Sequence, residues 1–212
     1  MSTVKKPKQW MKPRLSFSAL AKLMASHTPV GQIGILRQSK YPRSGPMKSY
    51  VNAMWYITGV IASGQPGGRA PRSHEQEVVD AFTAQPLRLP KGVTGRRAGT
   101  GQKPWQFQGV DISFFPDMKL QGPNGTGALK LHFNQDPLPR GVGKSMATLL
   151  FHYLSNVVQE SSANAKYCLV YEVRSSKCHV AKTGAMSASA LQQVRAACML
   201  ATAMWPQISQ SA

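Results

Sequence analysis

Residues 109–133 read GVDISFFPDMKLQGPNGTGALKLHF. Two apolar runs of strand type, 110–115 and 128–133, flank a cluster of Gly122, Pro123, Asn124, Gly125 and Gly127. Chain breakers between β-prone runs predict a hairpin. Asp117 follows Pro116 where the first run ends, and Lys130 lies in the middle of the second. In an antiparallel pair the two side chains share a face, unless the register slips by one residue. A carboxylate beside a strand-borne lysine suits phosphodiester chemistry. The carboxylate holds a hard divalent cation, and the lysine positions water or neutralises developing charge.

Working outward, the charge balance is the strongest compositional fact. The chain of 212 residues carries 26 Lys and Arg against eight Asp and Glu, a net charge of +18. Residues 1–74 hold 12 of the bases and none of the acids. A field of this sign draws polyanions, so nucleic acid is the expected partner, DNA ahead of RNA. A hydrophobic content of 42% is that of a folded chain. The most apolar stretch, 50–61, is too short to span a bilayer, so no membrane insertion is expected. Cys168, Cys178 and Cys198 cannot all pair within one chain and lie among apolar neighbours. They read as reduced, buried thiols of a cytoplasmic protein. Their spacing fits no zinc site.

Residues 1–14 read as a disordered basic arm, with Lys5, Lys6 and Lys8 as phosphate contacts and Trp10 able to stack or dock. A helical region follows over 15–72. Ser16 caps a helix over 17–26, Pro29 and Gly31 break it, and 33–38 make a further helical turn. Arg37, Lys40 and Arg43, around Tyr41, form a candidate phosphate-contacting loop. The 47–62 helix is apolar all round, which places Trp55 and Tyr56 in the core. Residues 63–72, SGQPGGRAPR, read as a linker and the best domain boundary.

From Ser73 the chain changes character. Ser73 with Gln76 makes a capping-box pattern for a helix over 74–83 that carries Glu75, Glu77 and Asp80. A strand over 87–93 is expected. A glycine-rich loop over 92–103 then presents Arg96, Arg97 and Lys103, where glycine permits close backbone approach to phosphate. After the hairpin, Gly143-Lys144-Ser145 lacks the glycine that a nucleotide-binding loop needs at 138, where Leu138 stands. Lys144 instead opens a helix over 144–159 and offers one more cation for a backbone. Strands over 167–174 and 177–182 and a helix over 187–204 complete the chain. His152 reads as a satisfied, partly buried residue.

The order from Ser73 is helix, three strands, helix, strand. With Pro116-Asp117 and Leu129-Lys130 in it, this resembles the PD-(D/E)XK nuclease-like superfamily, over roughly residues 73–173. The resemblance implies an αβββαβ core spanning 73–212, a mixed central sheet flanked by helices. It implies Asp117 as the main magnesium ligand, Lys130 as the catalytic lysine and Glu77 as a second metal carboxylate, with Glu75 or Asp80 in its stead. The Leu129 carbonyl would complete the coordination. One position departs: the second carboxylate of the motif falls at Ala128. Asp111 or Glu172 is available to replace it from a neighbouring strand. Three functions follow. The first is a magnesium-dependent nuclease or an inactive derivative that keeps binding. The second is a non-enzymatic basic DNA- or RNA-binding or architectural protein. The third is an assembly protein that meets an acidic partner or RNA.

Overall fold

The computed structural model describes residues 10–42, 50–99, 105–113 and 115–209. In chain order they form β1 (Arg14–Ser16), α1 (Phe17–Ala25), α2 (Pro29–Lys40), α3 (Val51–Ser63), α4 (Ser73–Ala84), β2 (Thr94–Arg97), β3 (Trp105–Phe107), β4 (Val110–Ser113), β5 (Met118–Gly122) and β6 (Gly125–His132). Then come α5 (Val142–His152), a π-helical segment (Tyr153–Val158), β7 (Ala163–Glu172), β8 (Lys177–Val180), α6 (Ala185–Met204) and a 3-10 turn (Trp205–Gln207). The class is α/β with a mixed sheet flanked by helices, as the sequence predicts.

The chain divides into two compact units, cut at other places than residues 14 and 72. One unit holds Met1–Met47, Pro104–Phe114 and Gln192–Ala212. Its three-stranded sheet has the order β1-β4-β3, with β1 parallel to β4 and β3 antiparallel to it. Residues 10–14, expected in a loose arm, are tied down here. The Trp10 carbonyl accepts from Trp205 Nε1 at 3.0 Å, and the Arg14 guanidinium lies 4.4 Å over the Trp10 ring. Ser16 caps α1 as expected, accepting from the Ala19 N–H at 3.2 Å. α1 ends before Pro29 as expected, but Gly31 breaks nothing, because Pro29 starts α2. At the first helical position its missing N–H costs nothing, and Thr28 caps the Gly31 N–H at 3.2 Å.

The second unit, Lys48–Lys103 with Phe115–Leu191, holds a five-stranded sheet in the order β2-β5-β6-β7-β8. β2, β5 and β6 run as an antiparallel meander, β7 lies parallel to β6 across α5, and β8 returns antiparallel. Alternation along β5 makes its two faces. Met118 and Leu120 are buried, while Lys119 and Gln121 are exposed. The buried side joins Leu129, Leu131, Leu169 and Tyr171 under Ala53 and Ile57 of α3 and Val78, Val79 and Phe82 of α4. Each such side chain contributes about 1.5–3 kcal/mol when fully buried.

The hairpin differs from the expected one. Of the run expected at 110–115, β4 (Val110–Ser113) pairs with β1 and β3, not with β6. The true partner is β5, joined to β6 through Pro123-Asn124 between the paired Gly122 and Gly125. β6 starts at Gly125, so Thr126 and Gly127 are strand residues. Gly127 sits at a register irregularity, where a Cβ would stand 2.1 Å from the Tyr167 carbonyl oxygen. Only a residue without a side chain permits that approach. Likewise 87–93 forms no strand, and β2 lies inside the expected loop instead.

Two helix readings also change. Trp55 is 41% exposed rather than core, because α3 buries only the side bearing Ala53, Ile57 and Thr58. α4 is capped not by Ser73 but one residue earlier, where Glu75 accepts the Arg72 N–H at 2.8 Å.

Candidate nucleic-acid interface

Asp117 lies directly ahead of β5, and its backbone N–H donates to the Leu129 carbonyl at 2.8 Å. That bond sets its carboxylate opposite the middle of β6. Oδ1 accepts from Lys130 Nζ at 3.0 Å and Oδ2 from the Leu131 N–H at 2.7 Å. The Asp117 side chain is 8% exposed and that of Lys130 21%. Arg97 adds a third positive influence. Burial lowers its pKa, and the negative charge of Asp117 pulls it back up. The Arg97 guanidinium also covers the Trp55 ring. The two residues singled out from the hairpin therefore meet, although the strand carrying Asp117 into the sheet is not the expected one.

The other candidate carboxylates have different work. Glu77, on α4, pairs with Arg174, and its side chain is 71% exposed. Glu75 is fully buried and accepts the N–H groups of Asn52 at 2.9 Å and Ala53 at 3.1 Å, besides that of Arg72. Burial raises its pKa, but the three backbone N–H groups outweigh burial and hold the carboxyl below its ordinary value. It anchors the start of α3. Asp80 accepts from Gln76 Nε2 at 2.8 Å. Asp111 lies on β4 of the three-stranded sheet. Glu172 is buried, bonded to His179 Nε2 at 2.5 Å and to the Leu138 N–H at 2.7 Å. Ala128, fully buried, lies between Lys119 of β5 and Cys168 of β7.

Magnesium takes several oxygen ligands in a near-octahedral shell. Both Asp117 oxygens are engaged by donors, and no group of three or more His, Cys, Asp or Glu suited to a metal gathers among the described residues. Glu77, Glu75 and Asp80 are bonded elsewhere and do not join Asp117.

The basic residues separate by burial. Arg96 on β2 and Lys144 in the first turn of α5 are exposed. Arg37 is half-buried and its Nε has no hydrogen-bond partner. Lys40 is corrected outright. It is 6% exposed, and its ammonium donates to the carbonyls of Trp205 at 2.6 Å and Ile208 at 2.8 Å, so no phosphate reaches it. Lys5, Lys6, Lys8, Arg43 and Lys103 lie outside the described residues. Sequence reading missed Lys119, which faces Arg96 directly across β2 and β5. The alternation of MKLQG was the available signal.

Cys168 and Cys198 are buried, and burial pushes both thiols up to about 12, so they stay protonated at neutral pH. Cys178 is exposed, not buried as expected. His152 is satisfied by Ser187 Oγ at 3.1 Å and Asn156 Nδ2 at 3.2 Å, and burial lowers its pKa. Gly143, the glycine of the tempting phosphate-loop triplet, has a structural reason. A Cβ there would stand 2.4 Å from the His179 ring. No helix among the described residues is long and apolar enough to cross a membrane. Comparison with family models, with characterised proteins and with solved structures finds no match.

Proposed function

We propose that this protein binds nucleic acid on a PD-(D/E)XK-like core and leaves phosphodiester bonds intact. The observation that carries the reading is the Asp117–Lys130 pair at the head of β5 and the middle of β6, with buried Ala128 where the motif places its second acid. The sheet order β2-β5-β6-β7, preceded by α4 and crossed by α5, supports the same core. The net charge of +18 supports the partner.

In this reading Asp117 is not a metal ligand. It holds the Lys130 ammonium in place and caps the Leu131 N–H. Lys130 keeps partial exposure and offers its positive charge to a backbone phosphate. Arg96 and Lys144 extend that charge over exposed surface. Glu77 serves the Arg174 pair and Glu75 the start of α3, so neither is needed at the nucleic acid.

The test is a gel. Labelled duplex and single-stranded DNA are incubated with the protein in magnesium, manganese or chelator, beside Lys130→Ala. Retarded, intact DNA in every lane is the expected result, with weaker retardation by the variant. Cleavage that needs metal and vanishes in Lys130→Ala would restore the nuclease reading. Absence of any shift at low salt would remove DNA as the partner.

A further inference from the structure

On the face of the sheet opposite the α3–α4 core, Arg96 of β2 and Lys119 of β5 are cross-strand partners. Both are exposed, and neither has an ion-pair partner among the described residues. Like charges directly opposite on neighbouring strands are destabilising. A protein that keeps such a pair holds repulsion that an anion relieves.

The pair borders a cleft of about 410 Å³, all within the second unit. This volume lies within the range of about 300–1,000 Å³ usual for small-ligand sites. Its walls differ in chemistry. One carries the two cations. Another part of the lining is apolar, from Leu154 and Val158 of the π-helical segment. Polar groups complete it. Thr126 Oγ1 and Ser162 Oγ lie 3.1 Å apart, and Ser162 Oγ donates to Glu160 Oε1 at 2.8 Å. An anion-binding wall, an apolar wall and a hydroxyl–carboxylate group match, in turn, the phosphate, the base or sugar ring, and the donors of one nucleotide.

We propose that this cleft binds one unstacked nucleotide of a single strand, with its phosphate between Arg96 and Lys119 and its ring against Leu154 and Val158. The assignment rests on the nucleic-acid reading above and names the form of the ligand. A duplex offers phosphates but keeps its bases stacked inside, so it cannot fill the apolar wall. An unpaired nucleotide fills both. An acidic peptide would satisfy the cations alone.

The experiment compares the full chain with the double variant Arg96→Gln/Lys119→Gln and with Val158→Trp, which fills the cleft without changing charge. The probes are a labelled ten-nucleotide thymidine oligomer, thymidine monophosphate and inorganic phosphate. The native protein is expected to bind the oligomer at least tenfold more tightly than either variant. In the charge variant the plot of log affinity against log salt becomes shallower by about 1.4, because each of the two cations removed accounts for about 0.7 of the slope on a single strand. In Val158→Trp that slope is unchanged. The unliganded charge variant melts no lower than the native protein, since repulsion has been removed. Equal stabilisation of the native fold by monophosphate and by inorganic phosphate, with no tighter binding of the oligomer, would reduce the cleft to a plain anion site and overturn the proposal. Unchanged oligomer affinity in both variants overturns the cleft and leaves nucleic-acid binding standing elsewhere on the surface. No oligomer binding by the native protein, together with no duplex shift in the gel above, overturns the functional reading itself, and the cleft with it.

Discussion

Glu75 shows how a single carboxylate is turned from a candidate ligand into a structural part. It is fully buried, and its oxygens meet three backbone N–H groups from two helix starts. Glu75→Gln keeps one acceptor oxygen but turns an amide N–H₂ towards a donor. A loss of about 1–3 kcal/mol is expected in denaturant unfolding. The pH dependence has a definite sign. The folded carboxyl sits below its ordinary value, so its contribution is complete above about pH 4.3, the ordinary glutamate pKa. It disappears as the pH falls through the lower, folded value. The native protein is therefore expected to lose more stability on acidification below that pH than Glu75→Gln does. Parallel acid-unfolding curves would refute this account. Asp117 follows related logic with more water present. Asp117→Ala strands the Leu131 N–H and unpairs Lys130, and about 1–2 kcal/mol is expected for so partly exposed a pair. Composition alone assigned Lys40 and Arg96 the same role. Burial separates them, because Lys40 is almost wholly enclosed with its ammonium on two carbonyls, whereas Arg96 is exposed.

At the scale of the element, β6 decides the site. It carries Lys130 to Asp117, and it must also lie close against β7. Gly127→Ala sets a Cβ against the Tyr167 carbonyl, and backbone cannot yield as a flexible side chain can. A cost of about 2–4 kcal/mol is expected in thermal or denaturant unfolding. A near-neutral result would mean that the β6–β7 irregularity is absent in solution. The sequence made the existence of β6, α5, β7 and β8 legible, because each is a long or strongly patterned run. It misassigned the partner of β6. Residues 110–113 are the more apolar strand, yet they belong to the smaller sheet, while β5 hides in MKLQG beside glycines and a proline. Strand propensity says that a segment is extended. It does not say which edge accepts its hydrogen bonds.

For the whole molecule, charge sets the expected behaviour. Binding to duplex DNA should weaken steeply with salt, with a slope of log affinity against log salt of about −3 or steeper, since each phosphate contact contributes about −0.9. A filter or anisotropy titration between low and moderate salt measures it. A flat response would point to an acidic protein or to no polyanion at all. The division into units was not legible. Residues 104–114 and the chain from Gln192 leave the second unit's sequence and fold with the N-terminal segment. The glycine-rich loop over 92–103 ends at one of those crossings, but no such stretch marks Gln192, and the one read as the boundary, 63–72, lies inside the second unit.

The sequence by itself determined the α/β class, the net positive charge and most helices. These depend on periodicity, capping and charge count, which are local or additive. Tertiary structure decided which strand partners β6, that Glu75 and Glu172 are bonded internally, that Lys40 is withdrawn, and that Arg96 meets Lys119 beside an apolar wall. Those outcomes rest on pairings between distant segments. Hydrogen bonding and burial select them from many sterically allowed alternatives, and no single segment encodes the choice.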